Sequence, residues 1–454
     1  MPARPKKEED AIVTLRVQRT HQTTHLCGAS LLTVRILQTY KRHRCRPRSK
    51  SGPILVVANH PNGLMDPCVI RLGLDREVSF LAKSTLFENP VGHLTMQAFR
   101  AIPVFRAQDG NDTSQNNATF DLCQERFIEG GAVVIFPEGV SHSDTKMKRL
   151  KTGAARIALQ TQDAAETLEL HILPVGLFYE AKDIFRSRVS MAVGAPIRVS
   201  DHLKAFREEG FDAASRLTQE IDDAFGDLVL QADDAEVWDG LVAVARWTDA
   251  HAAHDVAAVQ QRAQDLSAAY RRLLQTDPSV AADLADQVRE FAHLLRMVGI
   301  DDPWDAHAPH FTLARVVRDT ATFVVSLPFA VLGVLTSWPP YRAFRPIAHK
   351  IAGKELDLIS TIKALLGLVF LPPIWLIESI LLGYYWHWWV TPIACLALPF
   401  CGYVALRFGE QADARRELFK AFWLGLTRQK MLSQIRSRRA ELADRVDALL
   451  GQQL

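Results

Sequence analysis

The stretch NHPNGLMDP, residues 59–67, follows the apolar run PILVV and holds the chain's most suggestive pair of chemical groups. His60 stands six positions before Asp66. That interval is too long for one helical turn and too short for two adjacent strands, so the side chains meet only if the chain curls back between them. Pro61, Asn62 and Gly63 are turn formers that allow this. An imidazole whose Nδ1–H is held by a carboxylate keeps one tautomer and leaves Nε2 to take a proton. Such a pair is a general base without a protein nucleophile. The chain has no GxSxG elbow and no cysteine in a comparable setting, so the attacking hydroxyl would belong to a substrate.

Other polar groups fall at comparable places. Lys83 follows SFLA, Arg106 follows IPVF, and the run GAVVIF ends in Pro137, Glu138 and Gly139, a turn that would present a carboxylate and backbone N–H groups. Cationic side chains near a general base suit a phosphate-bearing alcohol, since arginine grips phosphate in bidentate fashion. Taken singly, each piece has a plain structural reading: a histidine closing a strand, or a turn. Their order along the chain carries the specificity.

The elements that must position them are short β-rich runs at 53–59, 78–82, 102–105, 131–136, 170–177 and 188–197. Helix-like stretches such as 114–129 and 152–163 lie between them. This alternation predicts an α/β fold, a mixed sheet flanked by helices with its chemistry in loops at strand ends.

His60 and Asp66 in NHPNGLMDP, Arg106 in AIPVFR, FPEGVSH (136–142) and ILPVG (172–176) together resemble the four successive blocks of the glycerophospholipid acyltransferase family. That family includes glycerol-3-phosphate and lysophosphatidate acyltransferases. The resemblance covers about residues 53–200. It implies His60 as the base that deprotonates a glycerol hydroxyl and Asp66 as the group that orients it. The hydroxyl would attack an acyl thioester on CoA or acyl carrier protein, a co-substrate rather than a bound cofactor. Asn59, Lys83, Arg106, Glu138 and Gly139 are implied as substrate-binding residues, with Lys148 and Lys151 as weaker candidates. One departure is informative. Five residues separate His60 from Asp66, where the commonest family spacing is four. The longer form resembles enzymes that acylate glycerol 3-phosphate or dihydroxyacetone phosphate, the first acylation of phospholipid biosynthesis. Acylation of lysophosphatidate remains the alternative, and a non-catalytic membrane adaptor is the alternative from another class.

The rest of the chain is divided by composition. Hydrophobic residues make up 48% and charged ones 23%, which is ordinary for a folded protein, but charge is segregated. Residues 1–52 hold 12 Lys/Arg against 3 Asp/Glu, and residues 201–310 hold 9 against 22. Residues 1–50 read as a basic segment, either frayed or with an interfacial helix at 29–37, and 51–200 as the acyltransferase domain. Residues 201–310 read as an acidic helical module, in which His251 and His254 are taken as solvated rather than metal ligands.

A membrane region is expected at 321–408, with a helical hairpin over 364–406 joined by the aromatic run YYWHWW. The segment 321–338, broken by Pro328, is expected to be re-entrant or interfacial, giving two spans, with three spans as the alternative. Residues 409–454 read as a basic amphipathic helix, lying on an anionic bilayer or packed on the acidic module. The six cysteines show no CxxC spacing and no signal-peptide-like run opens the chain, so a reduced, cytoplasmic catalytic face is expected. The expected partners are the bilayer, the glycerol-phosphate acceptor and the acyl donor, without nucleic acid or metal.

Overall fold

The computed structural model describes residues 11–15, 40–42, 52–63, 65–74, 76–88, 90–106, 110, 113–180, 188–250, 255–299, 313–352, 357–427 and 429–451. The chain forms two compact units, Met1–Ala245 with His254–Ala268, and Arg246–Ala253 with Ala269–Leu454.

The first unit is built on a mixed sheet of strands β1 (Ala11–Leu15), β2 (Tyr40–Arg42), β3 (Ile54–Ala58), β4 (Val78–Lys83), β5 (Ile102–Val104), β6 (Ala132–Ile135), β7 (His171–Tyr179), β8 (Val189–Val193) and β9 (Ile197–Arg198). Among the described residues the strand order is β2-β1-β8-β7-β3-β6-β4-β5, with β9 also pairing with β7. Strands β7, β3, β6, β4 and β5 run parallel, and the pairs from β7 through β8 to β1 and β2 are antiparallel.

Strand β3 is buried at all five positions, as a central parallel strand covered on both faces must be. On one face, Leu55, Val57, Val133 and Ile172 pack against α3 (Asn116–Ile128), α4 (Gly153–Ala164) and α6 (Phe211–Leu228). On the other face Val56, Ala58, Val134 and Val175 meet Val69 and Ile70 of α1 (Met65–Gly73). Helix α2 (Pro90–Ala98) follows β4.

The shift in composition at residue 201 is not a domain boundary. After the short helix α5 (Leu203–Glu209), α6 buries Ala214, Leu217, Ile221, Phe225 and Leu228 in the core of the first unit. Its acidic residues Asp212, Glu220, Asp222, Asp223 and Asp227 cover the exposed side. Over this helix the acidity is that of one face of an amphipathic element whose other face is core. Helices α7 (Ala235–Thr248) and α8 (Val256–Thr276) each contribute residues to both units.

The second unit is helical, with α9 (Pro278–Val298), α10 (Leu313–Ala352), α11 (Asp357–Tyr385), α12 (Val390–Thr427) and α13 (Gln429–Gly451). Asp277 caps α9 by accepting from the Val280 N–H, and Gly299 closes it in a left-handed conformation. Among the described residues three helical stretches are long and apolar enough to cross a membrane: Thr320–Lys350, Leu365–Tyr385 and Val390–Gly409.

The break expected at Pro328 is corrected, because α10 continues through that residue as one helix. In a bundle, neighbouring helices compensate for the N–H that proline lacks. Small residues sit at the contacts: a Cβ on Gly333 would collide with the Cys401 carbonyl, and Gly402 lies under Trp375 and Ser337. The Trp375 indole N–H donates to Ser337 Oγ at 3.1 Å. Tyr384, Tyr385, Trp386 and Trp388, at the link between α11 and α12, are exposed.

Helix α13 packs on α9, with Arg445 paired to Asp283 at 2.7 Å and Arg438 to Glu290 at 3.4 Å. This is the packed alternative for the basic tail. The side chains of Phe419, Phe422, Trp423 and Leu426, the 29–37 segment, and His251 and His254 lie outside the described residues.

Candidate active site

Most of the sequence-selected residues of the α/β unit lie at or just beyond the carboxyl ends of parallel strands. His60 follows β3, Lys83 ends β4, Arg106 follows β5, and Glu138 and Gly139 follow β6. Strand β3 is where the order reverses, since the chain runs outward from it to β4 and β5, returns to β6, and crosses to β7 on its other side. Open α/β sheets present ligand-binding crevices at such a point.

The curl between His60 and Asp66 closes as its turn residues demand. The Asp66 N–H donates to the Asn62 carbonyl at 3.1 Å, and α1 begins there, with Asp66 in its first turn, where the positive helix end favours a carboxylate. Asp66 is fully buried and its Oδ2 lies 2.8 Å from His60 Nδ1. A carboxylate only accepts, so Nδ1 carries the proton and Nε2 presents its lone pair. Oδ2 also accepts from the Asn62 N–H at 2.8 Å, and Oδ1 accepts from the Tyr179 hydroxyl at 2.7 Å. Burial pushes the Asp66 carboxyl up from its ordinary value, and the bonds from His60, Tyr179 and Asn62 oppose that rise. The His60 ring stacks on Phe136, with centroids 3.9 Å apart and planes within 10°.

Glu138 does something the sequence did not show. Its carboxylate turns inward, where it accepts from the His60 backbone N–H at 3.0 Å and the Lys148 N–H at 2.9 Å, and pairs with His142 Nε2. Burial works to raise its pKa, but the bonds from His142 and from the N–H groups of Lys148 and His60 hold it below the usual glutamate value. The His142 N–H in turn donates to the His60 carbonyl at 3.1 Å, so the loop after β6 grips the base residue from both sides.

Gly139 sits at φ +75°, a conformation that suits glycine, and its N–H closes the turn onto the Phe136 carbonyl at 3.0 Å. A Cβ there would also meet the end of the Lys151 side chain. Arg106 donates to the Gly139 carbonyl at 2.5 Å. Its own backbone is steadied by Asn116, which brackets the neighbouring Phe105 N–H and carbonyl at 2.9 and 2.7 Å.

Asn59 is buried and clamps β7, accepting from the Leu177 N–H at 2.7 Å and donating to its carbonyl at 3.0 Å. In this structure it fastens β3 to β7, and Lys83 ends β4 with an exposed side chain. A pocket opens at His60, with Met147, Leu177, Phe178, Leu230 and Trp238 forming its apolar wall. Neither Lys83 nor Arg106 lines it.

The structure therefore brings His60 and Asp66 together as expected and ties Arg106 to Gly139 and Glu138 to His60. Tyr179, Phe136 and His142 are the partners that sequence reasoning did not single out. His142 was within reach, since it stands four residues after Glu138 in the same block.

Residues 34–177 match the family model described as Acyltransferase, and residues 247–453 match the Glycerol-3-phosphate acyltransferase 2 C-terminal domain. An uncharacterized acyltransferase of Schizosaccharomyces pombe is 24% identical, the match covering 84% of this chain and 73% of that one. Glycerol-3-phosphate O-acyltransferase 1 of Saccharomyces cerevisiae is also 24% identical, over 71% of this chain, and the match spans less than half, 45%, of the yeast protein. The crystal structure of a 1-acyl-sn-glycerophosphate acyltransferase, PlsC, from Thermotoga maritima aligns with 20% identity and a TM-score of 0.28, over 38% of this chain and 64% of that one. With an acyltransferase match over the site and an acyltransferase C-terminal match over most of the helical remainder, the chain belongs to the glycerophospholipid acyltransferase family.

Proposed function

We propose that this protein transfers an acyl group from a thioester, on CoA or acyl carrier protein, to a hydroxyl of glycerol 3-phosphate. The carrying observation is the oriented base: His60 Nδ1 is committed to Asp66, and Nε2 has no protein partner among the described residues. In the proposed reaction Nε2 takes the proton of the acceptor hydroxyl as its oxygen attacks the thioester carbonyl carbon. The tetrahedral intermediate collapses with cleavage of the C–S bond, and the imidazolium returns the proton to the leaving thiolate. No residue becomes acylated.

Several features support the division of labour around this base. Arg106 and Lys83 offer charge for the acceptor phosphate. Trp238, Phe178 and Leu230 set an apolar wall beside the base, where it would help keep water from the attacking hydroxyl. Glycerol 3-phosphate is favoured as acceptor by the five-residue spacing between His60 and Asp66 and by the name of the C-terminal family model. The three apolar helices would hold the protein in a bilayer, and we place the catalytic unit on the cytoplasmic face, where acyl thioesters are made.

Membranes carrying the protein, given equal glycerol 3-phosphate, dihydroxyacetone phosphate and lysophosphatidate, should acylate glycerol 3-phosphate fastest. Preference for lysophosphatidate would replace this reading with the second acylation step. No transfer to any of the three would remove it. Protease access in sealed vesicles tests the orientation.

A further inference from the structure

Strand β7 runs four residues beyond the level of the last residue of β3, since Ala58 pairs with Val175 and β7 continues to Tyr179. Over that extension β8 supports it, with Tyr179 opposite Val189. Leu173, Val175, Leu177 and Tyr179 share one face of the sheet, the face on which α1 packs through Val69 and Ile70. Asp66 opens α1. The topology thus sets the last side chain of β7 beneath the carboxylate that orients the base. Tyr179 is buried, and its hydroxyl donates to Asp66 Oδ1 at 2.7 Å. A phenylalanine would fill the same apolar space, so the hydroxyl is the feature that packing leaves unexplained. Tyr179 also lies just past the end of the matched acyltransferase model, which stops at residue 177.

We propose that Tyr179 is a positioning residue that acts on His60 through Asp66, extending the base to a chain of Tyr179, Asp66 and His60. The carboxylate has two oxygens with different duties. Oδ2 takes the His60 and Asn62 protons, while Oδ1 is held by Tyr179. The hydroxyl fixes the rotation of the carboxylate, and with it the tilt of the imidazole. It also draws electron density from Asp66, limiting how strongly the carboxylate holds a protonated His60. The other titratable groups around this pair are Cys68 on α1, whose thiol burial pushes up to about 11, and Glu138 and His142 in the loop after β6. None of them bonds Oδ1 in this structure.

The kinetic arm of the test rests on the proposed acyl transfer, and a second arm does not. In the full-length protein in membranes, Tyr179→Phe should lower kcat about tenfold with the KM for glycerol 3-phosphate unchanged. Independently, diethyl pyrocarbonate modifies neutral imidazole, and mass spectrometry of the peptide holding His60 reads its rate against pH. The midpoint for His60 should rise by about half a pH unit or more in Tyr179→Phe, because the carboxylate loses a donor. With 3-fluorotyrosine at position 179, which keeps ring and hydroxyl but donates more strongly, the midpoint should fall. That arm also serves if Tyr179→Phe does not fold. In an Asp66→Asn background the tyrosine change should leave the midpoint where it is. A purely structural tyrosine would lower Tm without moving the midpoint, and an unmoved midpoint in the fluorinated protein overturns the proposal. Absent acyl transfer by the wild-type protein would sink the functional reading while the modification arm still decides this one.

Discussion

The α/β unit and the three long helices of the second unit are both rich in apolar residues, and they put them in opposite places. In the first, Leu55, Phe127, Leu159 and Ile172 are wholly buried, and polar groups gather at the strand ends. In the second, Leu335, Ile377, Leu396 and Phe400 face outward, and the helices meet through Gly333, Ser337 and Gly402. The same residue types serve as core where water is the surrounding solvent and as surface where hydrocarbon is. The catalytic unit is therefore specified by what it hides, the bundle by what it leaves small at its contacts.

Experiments can break that contrast, beginning with the largest effect. His60→Ala should reduce acyl transfer by about 10²- to 10⁴-fold. That is far more than would follow from the about 1–3 kcal/mol of stability lost when the buried Asp66 carboxylate gives up its imidazole partner, as a melting curve of the folded variant would check. Phe127→Ala, at a side chain with no exposed surface, should cost the first unit about 3–5 kcal/mol in denaturant unfolding. At Leu396, 79% exposed, alanine should be nearly silent, whereas Leu396→Arg should oppose membrane insertion by about 3 kcal/mol, read by glycosylation mapping. Silence of Leu396→Arg would show that the outward face does not meet lipid.

The smallest effect is electrostatic. The Glu138 pKa is lowered in the folded state, so its contribution to stability is complete above the unfolded glutamate value of about 4.3 and is lost as pH falls through the lower folded one. An acid scan should show this loss in the wild-type protein. It should be blunted in Glu138→Gln, which is expected to be about 1–3 kcal/mol less stable near neutrality.

Much of the site was legible because its parts are local. A histidine, three turn formers and an aspartate at the end of an apolar run imply a curled pair, and the pair is there. What escaped were inward directions and distant partners. The FPEG turn announces a carboxylate, but nothing local says that it points at buried N–H groups rather than at substrate. Tyr179 stands 113 residues from Asp66 and reads as one more strand residue until the register of β7 against β3 is known. The strands from β3 onward were visible from their β-branched runs, whereas β1 and β2 lie in the segment read only as basic. Two larger misreadings share a physical origin: composition averages over faces. The acidic side of α6 hid its apolar stripe, and Pro328 in α10 suggested a break that a helix bundle accommodates.

The bonds that hold His60 also set a timetable. Its amide waits for Glu138, its carbonyl for His142 and its orienting aspartate for Tyr179, at sequence separations of 78, 82 and 113 residues. While the chain is being synthesised, none of these partners exists until long after the histidine has left the ribosome, and strand β7 must dock before the last is in place. A half-made chain therefore carries the base but not its alignment. The appearance of catalytic competence would mark the moment at which the parallel sheet is complete.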